Sequence, residues 1–291
     1  MSGRDPIRSR SGRVDAHQHF WQLAARAGAW PPPTLALIHR DFHPDDLADL
    51  LHQNGIATTV LVQSLPDEAD TRFLLELADC HDFIGAVVGW VDLKARDAVG
   101  RIAALAAHPK LRGLRPMLQD LDDDSWIDDP AVTPAVDAML RHGLRFDALV
   151  LPRHLPSLLA FARRHPGLPI VIDHLAKPVM GAVPDPRWLR DMERLAAEPQ
   201  VECKLSGMVT EAGPGWTVEQ LAPYARHVLE VFGPERVMWG SDWPVLRLAT
   251  DYTAWVDASE ALLAHLDPAQ RDAVFGGNAM RFYGIARTVA A

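Results

Sequence analysis

Val14-Asp15-Ala16-His17-Gln18-His19-Phe20 is a short, largely apolar run that carries two histidines one residue apart. On a β-strand, side chains two apart face the same side, so both imidazoles point the same way. Seven further runs of this kind follow, at residues 59–64, 84–91, 111–116, 145–150, 169–174, 201–206 and 236–242. Several are β-branched and apolar on both faces, as strands buried between two layers must be. Between them lie segments with helical spacing, at residues 44–53, 70–80, 95–107, 133–141, 155–164, 187–197, 218–231 and 253–266. In the first of these, Leu47, Leu50 and Leu51 form one stripe, and Pro44 with Asp45 suits a helix start. Strand and helix alternate eight times without a break in composition. That pattern predicts an α/β protein built as one (β/α)8 TIM-like barrel. An open doubly wound sheet is the second reading, but no Gly-x-Gly-x-x-Gly or Walker motif follows any strand.

The whole chain has 291 residues, 48% apolar and 23% charged, which is ordinary globular composition. It excludes a collagen-like or coiled-coil protein and a mostly disordered one. A barrel of about 250 residues is routinely one domain, so residues 14–291 are expected to form a single one. Residues 1–13 are basic, rich in Ser and Arg, and lack an apolar segment. They read as a flexible tail and not as a signal peptide. A formal charge of -9 gives no reason to expect a nucleic-acid or anionic-membrane partner. No uncharged apolar stretch approaches 18 residues, so no membrane span is expected. Cys80 and Cys203 are too few for a disulfide framework or a Cys-rich zinc module. A cytoplasmic location follows as the expectation.

Three positions could carry chemistry. The His17-Gln18-His19 pair is weak by itself, since 13 histidines give about 0.5 such pairs by chance. Its place at the end of the first strand strengthens it. Two neutral imidazoles converging on one point make half a metal site. The second is His174, closing the sixth strand at Ile172-Asp173-His174. Asp173 faces the opposite side and is expected to cap or orient structure instead of joining the site. The third is Asp242, in Trp239-Gly240-Ser241-Asp242-Trp243-Pro244 on the eighth strand. An Asp after a strand often caps a helix, yet a carboxylate beside a metal or an imidazole suits a general base. All three fall at the same end of the predicted barrel, the end where barrels keep their sites.

Around these, Arg115 and Lys204 could steady an oxyanion or sugar hydroxyls, or simply pair with nearby carboxylates. Trp21, Trp90 and Trp243 lie at or beyond strand ends, where an indole can stack on a sugar or plug the barrel top. Trp30 and the three prolines after it break the first strand-to-helix link into a long loop at the mouth. The run Asp122-Asp123-Asp124 lacks the spaced ligands of a calcium loop and reads as a solvated turn or cap. The absence of a Gly-x-Ser-x-Gly elbow removes the serine-hydrolase reading.

The order His-x-His, His174 and Gly-Ser-Asp242-Trp-Pro resembles the amidohydrolase superfamily. It is most similar to the sugar-lactonase branch, the L-fuconolactonase and L-rhamnono-lactonase-like proteins. The resemblance also runs through Gly113-Leu114-Arg115-Pro116, His174-Leu175-Ala176-Lys177-Pro178 and Cys203-Lys204-Leu205-Ser206-Gly207. It implies a distorted barrel, with water attacking a sugar-acid lactone carbonyl at the C-terminal mouth and Asp242 as general base. It makes His17 and His19 the metal-binding or carbonyl-polarising pair, with Asp242 the third ligand. His174 is either a fourth ligand or a donor to the leaving oxygen, and the second role is preferred because a filled coordination sphere leaves no place for water. Arg115, Lys204, Trp21 and Trp243 are expected against the substrate. One departure matters: strand four offers Arg115 where many members of the superfamily have a bridging Lys. Strand five offers Asp147 where they have a ligand His, and His154 lies well beyond its end. One divalent ion, zinc by preference, or none is therefore expected, and not a binuclear centre. The second enzymatic reading is a dicarboxylate lactonase or decarboxylase of aromatic breakdown, which needs several arginines. Arg115, Arg153 and Arg247 are the candidates. A barrel that binds a sugar acid without turning it over is the non-enzymatic reading. The partner expected in each case is a small molecule, and the oligomeric state stays open.

Overall fold

The computed structural model describes residues 12–286. Eight parallel strands, β1 (Arg13–Gln18), β2 (Ile56–Val62), β3 (Ile84–Gly89), β4 (Leu111–Leu114), β5 (Arg145–Ala148), β6 (Ile170–Ile172), β7 (Val201–Leu205) and β8 (Val237–Trp239), form one sheet in sequence order. Each is followed by a helix: α1 (Pro44–Gln53), α2 (Glu68–Cys80), α3 (Ala98–Ala106), α4 (Thr133–Arg141), α5 (Leu155–Arg164) and α6 (Pro186–Ala196) come after the first six. A short α7 (Met208–Ala212) and α8 (Val218–Phe232) follow β7, and α9 (Tyr252–Leu262) follows β8. All eight expected strands and all eight expected helices are present. Helix starts differ where a cap decides them. Asp67 accepts from the Ala69 amide and so begins α2 at Glu68, two residues before the apolar stripe does.

The strand ends differ in a consistent direction. β6 stops at Ile172 and β8 at Trp239, although the apolar runs continue to His174 and Asp242. At both places the backbone turns left-handed, with φ of 54° at His174 and 59° at Asp242. The residues that carry the site have left the ladder.

Alternate strand residues divide the core into two shells. Leu61, Val87, Phe146, Ile172 and Leu205 pack outward beneath the helices. Val14, Ala16, Val60, Val62, Ala86, Val88, Val171 and Met238 fill the barrel interior. Two C-terminal helices that the periodicity does not announce, α10 (Pro268–Asp272) and α11 (Asn278–Tyr283), complete the described chain. Phe282 and Tyr283 of α11 join the interior cluster and so plug the end of the barrel opposite the mouth.

Between β1 and β8 the ladder reduces to a single bridge, Gln18 with Trp243. Side chains close the seam instead. Asp15 accepts from the Ser241 amide at 2.8 Å and from the Tyr252 hydroxyl at 3.0 Å. Burial pushes the Asp15 carboxyl up to about 6 even so. Most of the expected flexible tail, residues 1–11, lies outside the described residues. Arg13, placed in that tail by the sequence reading, instead opens β1 and ion-pairs with Glu260. Asp123 accepts from the Ser125 amide and hydroxyl, so the triple-aspartate run is a turn. Among the described residues no helix is long and apolar enough to cross a membrane.

Candidate active site

His17 and His19 reach the barrel mouth from β1, but not by plain alternation. Val14 and Ala16 already face the interior, and a register shift between Asp15 and Gln18 brings His17 inward as well. β8 can lie against this point because residue 240 is glycine. A Cβ there would stand 2.8 Å from the His17 Cβ. Two residues on, the Asp242 amide donates to the His17 carbonyl at 2.8 Å. The left-handed backbone of Asp242, which Asp tolerates better than most residues, turns its carboxylate into the mouth.

The Asp242 Oδ1 atom lies at the focus of three imidazoles. His19 Nε2 is 3.2 Å from it, His17 Nε2 3.8 Å and His174 Nε2 3.9 Å. Burial raises the Asp242 carboxyl, but the imidazoles outweigh it and hold the group well below the usual carboxylate range. Burial likewise lowers His174, to about 4, against the pull of Asp242 and Asp173. It lowers His17 well below the ordinary histidine range. At neutral pH the site therefore holds an ionised Asp242 beside neutral His17 and His174.

His174 arrives by an unusual route. Residues His174, Leu175, Ala176 and Lys177 all have positive φ, between 49° and 59°. Such a left-handed turn costs roughly 1–2 kcal/mol per residue, so the surrounding packing must hold it. Leu175 and Ala176 are completely buried, and the Leu175 carbonyl accepts from Trp188 Nε1 at 2.9 Å. Gly207 leaves room for the ring, since a Cβ there would stand 2.7 Å from the imidazole. His174 Nδ1 hydrogen-bonds to Ser206 Oγ at 2.9 Å.

Asp173 does not face away from the site as alternation with His174 suggested, although it does orient structure there. It is fully buried and lies among the site residues, with Oδ1 3.4 Å from His17 Nδ1 and Oδ2 3.3 Å from Arg115 Nη1. Strand alternation aims Asp173, one residue past β6, into the interior like Val171. It is His174 that needs the left-handed turn to join it. Asp147 and Lys204 lie below, on β5 and β7. Lys204 Nζ is 2.6 Å from Asp147 Oδ2 and 3.0 Å from Asp173 Oδ1, and Tyr283 donates to Asp147 at 2.6 Å. Burial raises the Asp173 carboxyl, but Lys204 foremost, with Arg115, holds it well below its usual range. Asp15, Asp147 and Tyr283 were missed as supporting residues. A buried-strand position occupied by Asp, twice, was the available signal.

Above this floor opens a cavity of about 680 Å³, lined among others by His19, Arg115, His174, Lys177 and Asp242. The long first loop contributes Trp30 and Leu35, as its place at the mouth suggested. Three expected substrate contacts are not found there. Lys204 is wholly buried beneath the floor because two carboxylates hold it. Trp21 donates its Nε1 to the Arg40 carbonyl and packs edge-on against Trp30 and Phe42. Trp243 packs between Phe20 and Phe42. Both indoles are plugs in the barrel top. Trp90, by contrast, lines the cavity. Of the three arginines that a dicarboxylate would need, Arg115 lines it, Arg153 is held at the surface by Asp124 at 2.7 Å, and Arg247 is exposed, with its guanidinium 5.6 Å from the Phe42 ring.

The donors fit a divalent cation. Two overlapping sets each place one donor atom per residue within 4.8 Å of the others: His17, His19 and Asp242, and His17, Asp173 and His174. His19 Nδ1 donates to the Val62 carbonyl at 2.7 Å, which leaves the lone pair on Nε2. That lone pair faces the Asp242 carboxylate at 3.2 Å, and two electron-rich atoms at this distance need a positive partner, a proton or a metal ion. Around His17, Nδ1 lies 3.2 Å from Lys204 Nζ and 3.4 Å from Asp173 Oδ1, and Nε2 lies 3.4 Å from Arg115 Nη1, so a metal ion on Nε2 requires Arg115 to move aside.

A family model described as Amidohydrolase matches residues 14–285. A protein named L-fucono-1,5-lactonase from Burkholderia ambifaria is 58% identical over 279 residues, spanning 94% of this chain and 96% of that one. A second protein of that name, from Burkholderia multivorans, is 38% identical over 94% of this chain and 96% of its own length. Among solved structures, an amidohydrolase from Burkholderia multivorans with bound zinc superposes with a TM-score of 0.87. It is 37% identical and covers 94% of this chain and 99% of that one.

Proposed function

Since the chain belongs to the amidohydrolase family, we propose that it hydrolyses sugar-acid lactones, with L-fucono-1,5-lactone or a close stereochemical relative as substrate. The observation that carries this reading is the ionised Asp242 at the focus of three imidazoles on the floor of a cavity. Two relatives named as L-fucono-1,5-lactonases support the substrate class.

Lactone opening needs a nucleophilic water, positive charge at the carbonyl oxygen and a proton for the leaving alkoxide. Asp242 takes the water's proton. Its two carboxylate oxygens allow Oδ1 to face the imidazoles while Oδ2 meets the water. A zinc ion held by His17, His19 and Asp242 would supply Lewis-acid charge at the carbonyl oxygen. Arg115, at the cavity floor and anchored by Asp173, adds fixed positive charge there. His174 stays neutral at working pH. With Ser206 donating to its Nδ1, the Nε2–H points at the ring oxygen and stabilises it as the acyl–oxygen bond breaks. The proton gathered by Asp242 then passes to the departing alkoxide, which leaves as a hydroxyl. A reducing, cytoplasmic setting suits the unbridged Cys80 and Cys203.

A pH-indicator screen over L-fucono-, L-rhamnono-, D-galactono- and D-arabinono-lactones tests this reading. At least one lactone is expected to open well above its spontaneous rate, and no acceleration with any of them would overturn the reading. The metal has its own test. Elemental analysis should find about one zinc per chain, and chelation should lower kcat. Full activity in metal-free protein would overturn the zinc assignment and leave Arg115 as the positive charge at the carbonyl oxygen.

A further inference from the structure

The cavity is larger than the substrate proposed above. A six-carbon lactone of about a dozen heavy atoms occupies on the order of 150 Å³ at protein-like packing, against about 680 Å³ here. The chemical groups sit at the bottom, where the strands end. What remains lies higher, between the long β1–α1 and β4–α4 connections. Its walls are distinctive. The chain has nine tryptophans, and Trp21, Trp188, Trp239, Trp243 and Trp255 are fully buried. Of the other four, three (Trp30, Trp90 and Trp126) line this cavity as half-buried indoles. Trp126 is held in place, with Lys94 Nζ 4.6 Å from its ring centroid and paired to Asp129 at 2.9 Å. Interleaved with the indoles are Asp92, Gln119 and Asp120, short polar groups able to meet hydroxyls. Asp92 Oδ1 accepts from the Lys94 amide and Gln119 Nε2 donates to Asp120, yet the carboxylates and the Gln119 carbonyl oxygen keep acceptor capacity that a purely apolar occupant would not meet. A sugar ring matches both, with C–H faces for the indoles and hydroxyls for the carboxylates and amide.

We propose that the upper cavity is a glycosyl subsite, so that the enzyme opens aldono-1,5-lactones carrying a second sugar ring. Two rings fill roughly 300 Å³, which the space accommodates with bridging water. The inference rests on the lactonase reading, and the chemistry is unchanged by it. Water adds at the lactone carbonyl, the acyl–oxygen bond breaks, the ring oxygen leaves as a hydroxyl, and the glycosidic bond stays intact.

The test compares kcat/KM for L-fucono-1,5-lactone with that of its 2-, 3- and 4-O-β-D-galactosyl derivatives. At least one derivative is expected to match the parent within about tenfold, because the subsite offsets its extra bulk. Trp126→Ala should then lower that derivative's kcat/KM about tenfold further than it lowers the parent's. The inference is overturned if every derivative falls below about one hundredth of the parent, or if Trp126→Ala lowers both substrates equally. Failure of the parent lactone itself would instead remove the lactonase reading, and this inference with it.

Discussion

Asp242→Asn is expected to lower kcat by about 10²–10⁴ while leaving KM within a few fold, the signature of a lost general base. The loss corresponds to roughly 3–5 kcal/mol of transition-state stabilisation. Asparagine is the informative replacement for a structural reason. Position 242 has φ of 59°, a conformation that Asn tolerates as well as Asp does. The backbone bonds from the Asp242 amide to His17 and from the Leu246 amide to the Asp242 carbonyl also survive. The fold should survive, but Asn removes both the charge held among three imidazoles and the proposed third zinc ligand, so zinc content and the thermal midpoint are read beside kcat. A large loss of kcat at full zinc occupancy marks the lost base, whereas a parallel loss of zinc would point to lost metal binding in its place.

Lys204→Met is expected to act in the opposite sense, on stability first. The side chain is completely buried between Asp147 and Asp173, which are also completely buried. Removing the cation leaves two carboxylates sharing Arg115 and the Tyr283 hydroxyl. Breaking a buried pair from one side typically costs about 3–5 kcal/mol, enough to lower Tm by roughly 10 °C in a chain of this size. Lys204→Met combined with Asp147→Asn should recover much of that loss, because the deletion then removes one charge of each sign. If Lys204 instead contacted substrate, Lys204→Met would raise KM and leave Tm alone. Differential scanning calorimetry beside steady-state kinetics separates the two.

What could be read in the sequence follows from which forces act locally. The barrel was legible because two periodicities, of strand and of helix, repeat eight times. His17, His19 and Asp242 were legible because strand ends place them at one mouth, even though the register shift in β1 and the left-handed turn at Asp242 were not visible. Asp173 was misjudged because alternation was applied to both it and His174, while His174 sits in a left-handed turn held by contacts with Trp188 and a gap at Gly207. No local pattern announces such a turn in a run without glycine. Lys204, Trp21 and Trp243 suit sugars and anions by residue type alone. Their partners, Asp147, Arg40 and Phe42, come from distant segments, so nothing nearby in sequence shows that these side chains are already engaged. Trp90 keeps its exposed face because the cavity opens over β3.

The most direct test of the account is kcat for Asp242→Asn and His174→Asn, measured side by side on the lactone that the wild-type enzyme opens fastest. Asp242 is assigned the water's proton, and His174 only a hydrogen bond to the departing oxygen. Asp242→Asn is therefore predicted to lose about 10²–10⁴ in kcat, and His174→Asn distinctly less, with its loss growing as the leaving alkoxide becomes more basic. Near-full kcat in Asp242→Asn with abolished activity in His174→Asn would contradict the account and make His174 the base.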